Sequence, residues 1–331
     1  MSCSGDVRAT LNYLHRTDRR PYLYMFDPPE GVPAAWGEIH AVPDVPVHNG
    51  RLLREAPALH DNGFEFHVQE TAVRDFYDPD QITGVYYPEI ERLLKTITGA
   101  EKIVIFDHTL RSIEKFKAGI KGMRPPTMNI HNDYTEASGP ERVRDHLPPE
   151  EAERRLKHRF LEINVWRPIR GPLEDNPLAV CDSSTLAPGD LMASDLIYPD
   201  RVTETYSVSY NPAHRWYYYP DMQRNEALVF KGFDSDTGAK TRFTPHTAFD
   251  DPTAPADRLP RESIEVRALV FLPLWLLRRG RAENRNAATQ GVRDLGRTKR
   301  SPSARRSTST ANTPSMESSH VSNVSGKTVP E

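Results

Sequence analysis

The second half of the chain is a succession of short segments rich in β-branched and aromatic residues, and this restricts the fold more than any other feature. Residues 161–166, 178–181, 203–210, 214–219, 227–233 and 263–272 each carry enough Val, Ile, Tyr, Phe or Trp to make a strand. Pro, Gly, Asp and Asn punctuate the intervals between them. Many short strands at this spacing predict an antiparallel sandwich or barrel, because a parallel sheet needs a crossover, usually helical, between successive strands.

The first half adds helices to that framework. Residues 63–69 (GFEFHVQ) alternate and predict a strand. Residues 87–97 (YPEIERLLKTI) place Ile90, Leu93, Leu94 and Ile97 at the i, i+3, i+4, i+7 spacing of an amphipathic helix. A short apolar strand is predicted over 102–106 (KIVIF). A second helix is predicted over 149–160, where proline opens the first turn and two glutamates sit near the positive helix end. The expected class is mainly β with flanking helices.

Charge divides the chain. Its 331 residues hold 43 Lys+Arg against 46 Asp+Glu, a formal net charge of −3. Residues 278–331 contain eleven basic and four acidic side chains, so they carry +7 while residues 1–277 carry −10. Residues 278–331 are rich in Ser, Thr, Asn and Arg and nearly devoid of large apolar residues. Such a segment cannot bury enough surface to offset its ordering entropy, and it reads as a disordered basic tail. Residues 1–277 read as a single acidic domain, which argues against a nucleic-acid partner. The stretch RTKRSPSARR at 297–306 could form a localisation or phosphate-binding patch, though a solvated tail accounts for it as well.

Other classes are excluded by what is missing. Two cysteines, Cys3 and Cys181, make neither a disulfide framework nor a CxxC pair, which points to a reducing, cytoplasmic compartment. Residues 1–18 have no secretory apolar region. The most apolar run, 268–277, is half the roughly 20 residues needed to span a bilayer and is interrupted by Pro273, so no membrane partner is expected. There is no internal repeat, Walker A loop or GxGxxG.

Of 12 histidines, one begins a His-x-Asp/Glu pair: His131-Asn-Asp133. In extended chain, residues i and i+2 point to the same side, so this imidazole and carboxylate can face one cavity. Completed by a distant histidine, the pair is the facial triad of non-haem Fe(II) oxygenases, which leaves metal positions open. Alone it is weak evidence, since a solvated loop histidine beside a turn aspartate reads the same way. His246 is the candidate third ligand, and Arg261-Glu-Ser263 follows 15 residues later at the opening of the last strong strand. Arg261 and Ser263 share a face, and a guanidinium fork with a neighbouring hydroxyl suits a carboxylate. The order HxD, distant His, RxS matches 2-oxoglutarate-dependent Fe(II) dioxygenases. A surface ion pair of Arg261 with an acid such as Asp257 is the competing reading of that arginine.

These residues lie within a longer pattern. VIFDHTLR (104–111), HNDYT (131–135), INVWRPI (163–169), PLAVCD (177–182), TETYSVSYNPAHRWYYYP (203–220), VFKGFDS (229–235), PHTAFDDP (245–252) and RESIEVRALVF (261–271) occur in that order. From about Ala9 to Phe271 the chain resembles the fungal and bacterial hydroxylase/desaturase family related to gibberellin desaturases and a cephamycin methoxylation protein. The resemblance implies a double-stranded β-helix (jelly-roll) core and oxidative tailoring of a small secondary metabolite. It implies that His131, Asp133 and His246 hold Fe(II). Arg261, assisted by Ser263, would bind the far carboxylate of 2-oxoglutarate, and O2 would be the second co-substrate. Arg267 shares the Arg261 face and is a rival for that carboxylate. Tyr134 stands where glutamine is expected, and Thr203 where glycine usually precedes Glu-Thr-Tyr.

Secondary candidates carry less weight. Arg167 could reach the co-substrate or form a structural ion pair. If one face of the aromatic region Tyr206, Tyr210, Trp216, Tyr217 and Tyr218 lines the cavity, a hydrophobic substrate is favoured; ordinary strand packing is the alternative. Asp107 and His108 are adjacent and so point oppositely on a strand, which argues against chelation. Two further functions remain to be weighed: a catalytically silent jelly-roll accessory protein acting with a pathway partner, and a methyltransferase. The missing glycine-rich loop disfavours the last.

Overall fold

The computed structural model describes residues 5–273. Its strands are, in chain order, β1 (Val7–Leu14), β2 (Tyr22–Tyr24), β3 (Ala35–Trp36), β4 (Ile39–Asn49), β5 (Phe64–Val68), β6 (Lys102–Ser112), β7 (Met123–Arg124) and β8 (His131–Asn132). They continue with β9 (Phe160–Pro168), β10 (Leu178–Cys181), β11 (Leu191–Ile197), β12 (Val202–Val208), β13 (Trp216–Tyr218), β14 (Glu226–Asp234), β15 (His246–Ala248) and β16 (Glu262–Phe271).

Two sheets result, ordered β1-β4-β13-β10-β15-β8-β12-β11-β2-β3 and β5-β14-β9-β16-β6-β7. The four strands β13-β10-β15-β8 of the first sheet belong with β14-β9-β16-β6 of the second. Along the chain, β6, β9, β14 and β16 lie in one sheet and β8, β10, β13 and β15 in the other. The chain therefore passes from sheet to sheet at nearly every step, and neighbours within each foursome are antiparallel. This winding is the jelly roll expected from the resemblance.

Strand periodicity then separates core from site. On β9 and β16, Leu161, Ile163, Val165, Ile264, Val266, Ala268 and Val270 face outward and pack with Ile90 and Leu94 of the helix Tyr87–Thr98. That helix has proline in its first turn and ends at Gly99, whose φ of 65° and N–H bond to the Lys95 carbonyl form a left-handed cap. Burying each such Leu or Ile stabilises the fold by about 1.5–3 kcal/mol. The alternate residues of these strands divide: Phe160, Trp166, Leu269 and Phe271 join apolar clusters, while Asn164, Ser263 and Glu265 are buried and polar and Arg267 is half-buried. Buried polar groups gathered on part of an inner face point to a role other than packing there.

Several expectations need adjusting. The helix predicted over 149–160 ends earlier, at Pro149–Arg155, because Phe160 already opens β9 with its ring in an aromatic cluster. The strand predicted over 102–106 runs on to Ser112 as a full partner of β16. Sequence reading missed β1, β4, β11 and the helix Ser138–His146. No helix among the described residues is long and apolar enough to cross a membrane. The expected basic tail, 278–331, lies outside the described residues, as does Cys3.

Candidate metal centre and its cavity

His131 on β8 and His246 on β15 are direct cross-strand partners. Their imidazoles stand 4.4 Å apart between ring centroids. Asp133, two residues beyond His131, turns to the same side, with Oδ1 3.6 Å from His131 Nε2. One ligating atom from each of His131, Asp133 and His246 lies within 4.8 Å of the others.

The far side of every one of these groups is tethered. His131 Nδ1 donates to the Asn129 carbonyl at 2.9 Å and His246 Nδ1 to the Thr244 carbonyl at 3.1 Å. A carbonyl only accepts, so the proton sits on Nδ1 and the Nε2 lone pair is left facing the shared space. Burial and the neighbouring His246 push the His131 pKa down to about 4, so the ring is neutral across the physiological range. Asp133 Oδ2 accepts from Asn164 Nδ2 at 2.6 Å and Arg267 Nε at 3.0 Å. Burial alone would raise this carboxyl, but the Arg267 guanidinium, with the Asn164 hydrogen bond, outweighs it and holds it well below the usual carboxylate range. Two imidazoles with Nε2 turned to the same corner and one carboxylate beside them fit a divalent first-row metal that needs open positions.

Arg261 and Arg267 have different surroundings. Arg267 is committed to the protein: besides Asp133, it donates to Glu265 Oε2 at 3.3 Å, Asp107 Oδ1 at 3.1 Å and Thr109 Oγ1 at 3.0 Å. Glu265 also accepts from Asn164 Nδ2 at 2.7 Å, which closes a ring of Asp133, Asn164, Glu265 and Arg267. Arg261 is only 2% exposed. It donates to Ser263 Oγ at 3.0 Å and the Asn176 carbonyl at 2.8 Å, and it lies 4.9 Å over the Trp166 ring. No carboxylate among the described residues forms an ion pair with the Arg261 side chain. Burial and the nearby Arg111 push its pKa down to about 9. A buried cation without a counter-charge is costly, so the donor set fits an incoming carboxylate. Buried Trp166 Nε1 and Asn164 Oδ1, on the same inner face, have no hydrogen-bond partner either.

A cavity of about 560 Å³ opens beside His131 and Asp133. One wall is apolar and is built by Leu14, Tyr22, Leu23, Met25, Trp36 and Ile39. Leu23 and Ile39 remain more than 40% exposed, which large apolar side chains tolerate where a ligand covers them. The polar part of the lining includes Thr109, Arg111, Arg124 and Asn129. Tyr134 also lines the cavity, pressed onto β14 so closely that a Cβ at Gly232 would lie 2.8 Å from its ring. Behind it Glu162 is wholly buried with neither carboxylate oxygen hydrogen-bonded, and burial raises its pKa well above the usual carboxylate range.

The secondary candidates resolve as structure. Arg167 faces outward from the barrel, donates to Gln69 Oε1 at 2.8 Å and covers the Tyr86 ring. Trp216 and Tyr218 pack in a core cluster with Tyr13, and Tyr206 meets Phe243, so the cavity's apolar wall comes from the N-terminal hairpin instead. Asp107 lines the cavity while His108 bonds Tyr87 on the outer side, as their adjacency predicted. Sequence reading missed Asn164, Glu265, Arg111, Arg124 and the hairpin wall. The apolar string YLYMF at 22–26 was the one available signal for that wall.

Comparison with known proteins agrees with this chemistry. A family profile described as "Oxidoreductase/YMDC permease-like domain" matches residues 11–271. The Fe(II)/2-oxoglutarate-dependent dioxygenase nvfI of Aspergillus novofumigatus is 35% identical over 235 residues, covering 69% of this chain and 82% of that protein. The alpha-ketoglutarate-dependent dioxygenase tstK of Talaromyces stipitatus is 32% identical, covering 69% and 84%. The hydroxylase/desaturase efuI of Hormonema carpetanum is 33% identical, covering 65% and 78%. A solved structure of the iron and alpha-ketoglutarate-dependent endoperoxidase NvfI superposes with a TM-score of 0.74 at 29% identity, over 81% of this chain and 98% of that one. These likenesses set aside the accessory-protein and methyltransferase readings. The chain belongs to this oxidoreductase family, as an Fe(II)/2-oxoglutarate-dependent dioxygenase of the hydroxylase/desaturase group that tailors small molecules in secondary metabolism with Fe(II), 2-oxoglutarate and O2.

Proposed function

We propose that His131, Asp133 and His246 are the Fe(II) ligands, that Arg261 with Ser263 binds the far carboxylate of 2-oxoglutarate, and that the substrate is a small, largely apolar molecule held against the N-terminal hairpin. The observation that carries the assignment is the convergence of three ligating atoms within 4.8 Å, each belonging to a side chain fixed from behind.

Bound Fe(II) with 2-oxoglutarate supplies an O2-driven oxidation coupled to decarboxylation. The protein's own contribution is positional. The carbonyls of Asn129 and Thr244 fix both tautomers, so each Nε2 stays aimed at the metal. Asn164 and Arg267 occupy Asp133 Oδ2, leaving Oδ1 to ligate. Arg261 neutralises the distal carboxylate and gains the partner it lacks. The apolar wall of Tyr22, Leu23, Met25 and Trp36 excludes water from the substrate side and presents one carbon to the metal. Arg267 serves the metal carboxylate, in this reading, and not the co-substrate.

Anaerobic titration of the full chain should find one Fe(II) per protein, with a visible charge-transfer band on adding 2-oxoglutarate. Asp133→Ala and His131→Ala should both lose tight Fe(II) binding and the band. If either variant keeps the wild-type affinity, the assignment is wrong.

A further inference from the structure

The cavity carries an unbalanced pair of positive charges. Arg111 on β6 and Arg124 on β7 are directly opposed across the parallel pairing of these strands. Both line the cavity that contains His131 and Asp133. Like charges set opposite each other on one face of a sheet repel, and a fold retains them at a cost.

The acids of the cavity are already matched. Asp107 and Asp133 pair with Arg267, Asp195 and Glu204 pair with Arg20, and Glu204 also accepts from Thr135. Of the other cavity arginines, Arg142 lies 2.9 Å and Arg201 3.9 Å from Asp145. Arg111 donates to the Pro125 carbonyl at 2.8 Å and forms no ion pair among the described residues. Arg124 has no ion pair among them either. Glu265, the nearest buried acid on β16, is committed to Asn164 and Arg267. Two neighbouring guanidinium groups therefore face the cavity with donors to spare and no ion pair of their own; Glu265 and Asp133, the acids whose charge reaches Arg111, are bonded to Arg267.

We infer that Arg111 and Arg124 form a second carboxylate subsite, separate from Arg261, and that it takes an acidic group of the organic substrate. With the apolar wall of Leu23, Met25 and Trp36 in the same cavity, the matching ligand is a hydrophobic carboxylic acid. This rests on the proposed function, in which Arg261 and the metal account for both carboxylates of 2-oxoglutarate. The bidentate geometry of two forks suits one carboxylate held between them, as it does in other anion sites.

The test uses 4-phenylbutyrate and 4-phenylbutanol as probes, titrated calorimetrically into the anaerobic full-length protein loaded with Fe(II) and 2-oxoglutarate. The acid should bind about tenfold or more tightly than the alcohol, the scale of one charge-assisted hydrogen bond. Arg111→Met and Arg124→Met should each erase that preference while the alcohol's affinity stays the same. Arg124 is exposed, so its variant remains informative if Arg111→Met folds poorly. Equal binding of acid and alcohol, or no binding of the acid, overturns the inference. It is also overturned if either variant weakens 2-oxoglutarate in place of the acid, because the pair would then serve the co-substrate. Loss of the wild-type charge-transfer band would instead refute the metal and co-substrate assignment, so the two failures are distinguishable.

Discussion

Replacing Arg267 with methionine removes the cation between Asp133 and Glu265 while keeping most of the side chain's length. Arg267 Nε lies 3.0 Å from Asp133 Oδ2. Unit charges at that separation attract by about 5 kcal/mol at an effective dielectric of about 20, or about four decades of proton affinity. The Asn164 hydrogen bond remains, so the Asp133 carboxyl should recover only part of this and return to the ordinary carboxylate range. In the wild type, Arg267 holds the carboxyl well below the usual range, and near neutral pH protons do not compete with Fe(II) for it. In the variant they begin to compete only as pH falls toward about 4. Fe(II) affinity should drop about 10- to 100-fold through loss of the group that orients Asp133, by the same factor near about pH 6 and about pH 8, where an ordinary carboxyl is ionised. Anaerobic calorimetry at both pH values measures this, with thermal melts as the folding control. Arg267→Lys should fall between, since an ammonium keeps the charge but cannot span Asp133, Glu265 and Asp107 at once. An Arg267→Met protein that melts normally and binds Fe(II) with wild-type affinity would refute the positioning role.

Arg261→Met should weaken 2-oxoglutarate about 10- to 100-fold through loss of a charge-assisted pair, yet the apo protein should melt no lower than wild type. A clear fall in melting temperature would mean that the bonds to Ser263 and Asn176 and the Trp166 contact outweigh the cost of burying the charge. Glu162→Leu should stabilise the protein by about 1–3 kcal/mol at mildly alkaline pH, by removing an unpartnered buried acid. The sign follows from linkage: a carboxyl whose folded pKa is raised holds its proton better when folded, so its relative contribution is lost as pH rises above the unfolded value. The gain should accordingly shrink toward about pH 4.3, and a pH-independent difference between the two melting curves would count against it. Leu94→Ala should cost about 2–5 kcal/mol in denaturant unfolding and leave Fe(II) stoichiometry unchanged, because Leu94 packs on the outer face of the barrel.

The central strands were legible because they depend on local rules: β9, β14 and β16 announce themselves by β-branched and aromatic runs. Of the candidate site, His131 and Asp133 stand out by their spacing, and His246, Arg261 and Ser263 by their order along the chain and the family resemblance. The N-terminal strands were hidden for a physical reason: β4 contains Pro43 and Pro46, and its ladder with β1 is interrupted where Asp44 takes a φ of 59°. β11 (LMASDLI) lacks a regular alternation and is held by its pairing with β12. Arg267 could not be separated from Arg261 on one strand face, because the distinction depends on Asp107 and Asp133 arriving from distant parts of the chain. Arg111 and Arg124 are thirteen residues apart and meet only through sheet pairing. Pairings across the fold decided these cases, and no local pattern records them.

One rung of the barrel has a consequence for the protein's lifetime. β8 joins β15 through a single residue pair, His131 with His246. These are the two imidazoles proposed as metal ligands, so this rung of the barrel and the proposed metal site coincide. Fe(II) bound there would add to the hydrogen bonds of Thr244 to Asn132 and of Ala248 to Thr127 that flank the pair, contributing about 2.7 kcal/mol at a free metal concentration of about 100 times its dissociation constant. When iron is scarce or oxidised away, the loss would extend beyond turnover: the rung would open more often and expose its strand edges to proteases. Iron supply would then govern how long each copy of the protein survives as well as whether it works.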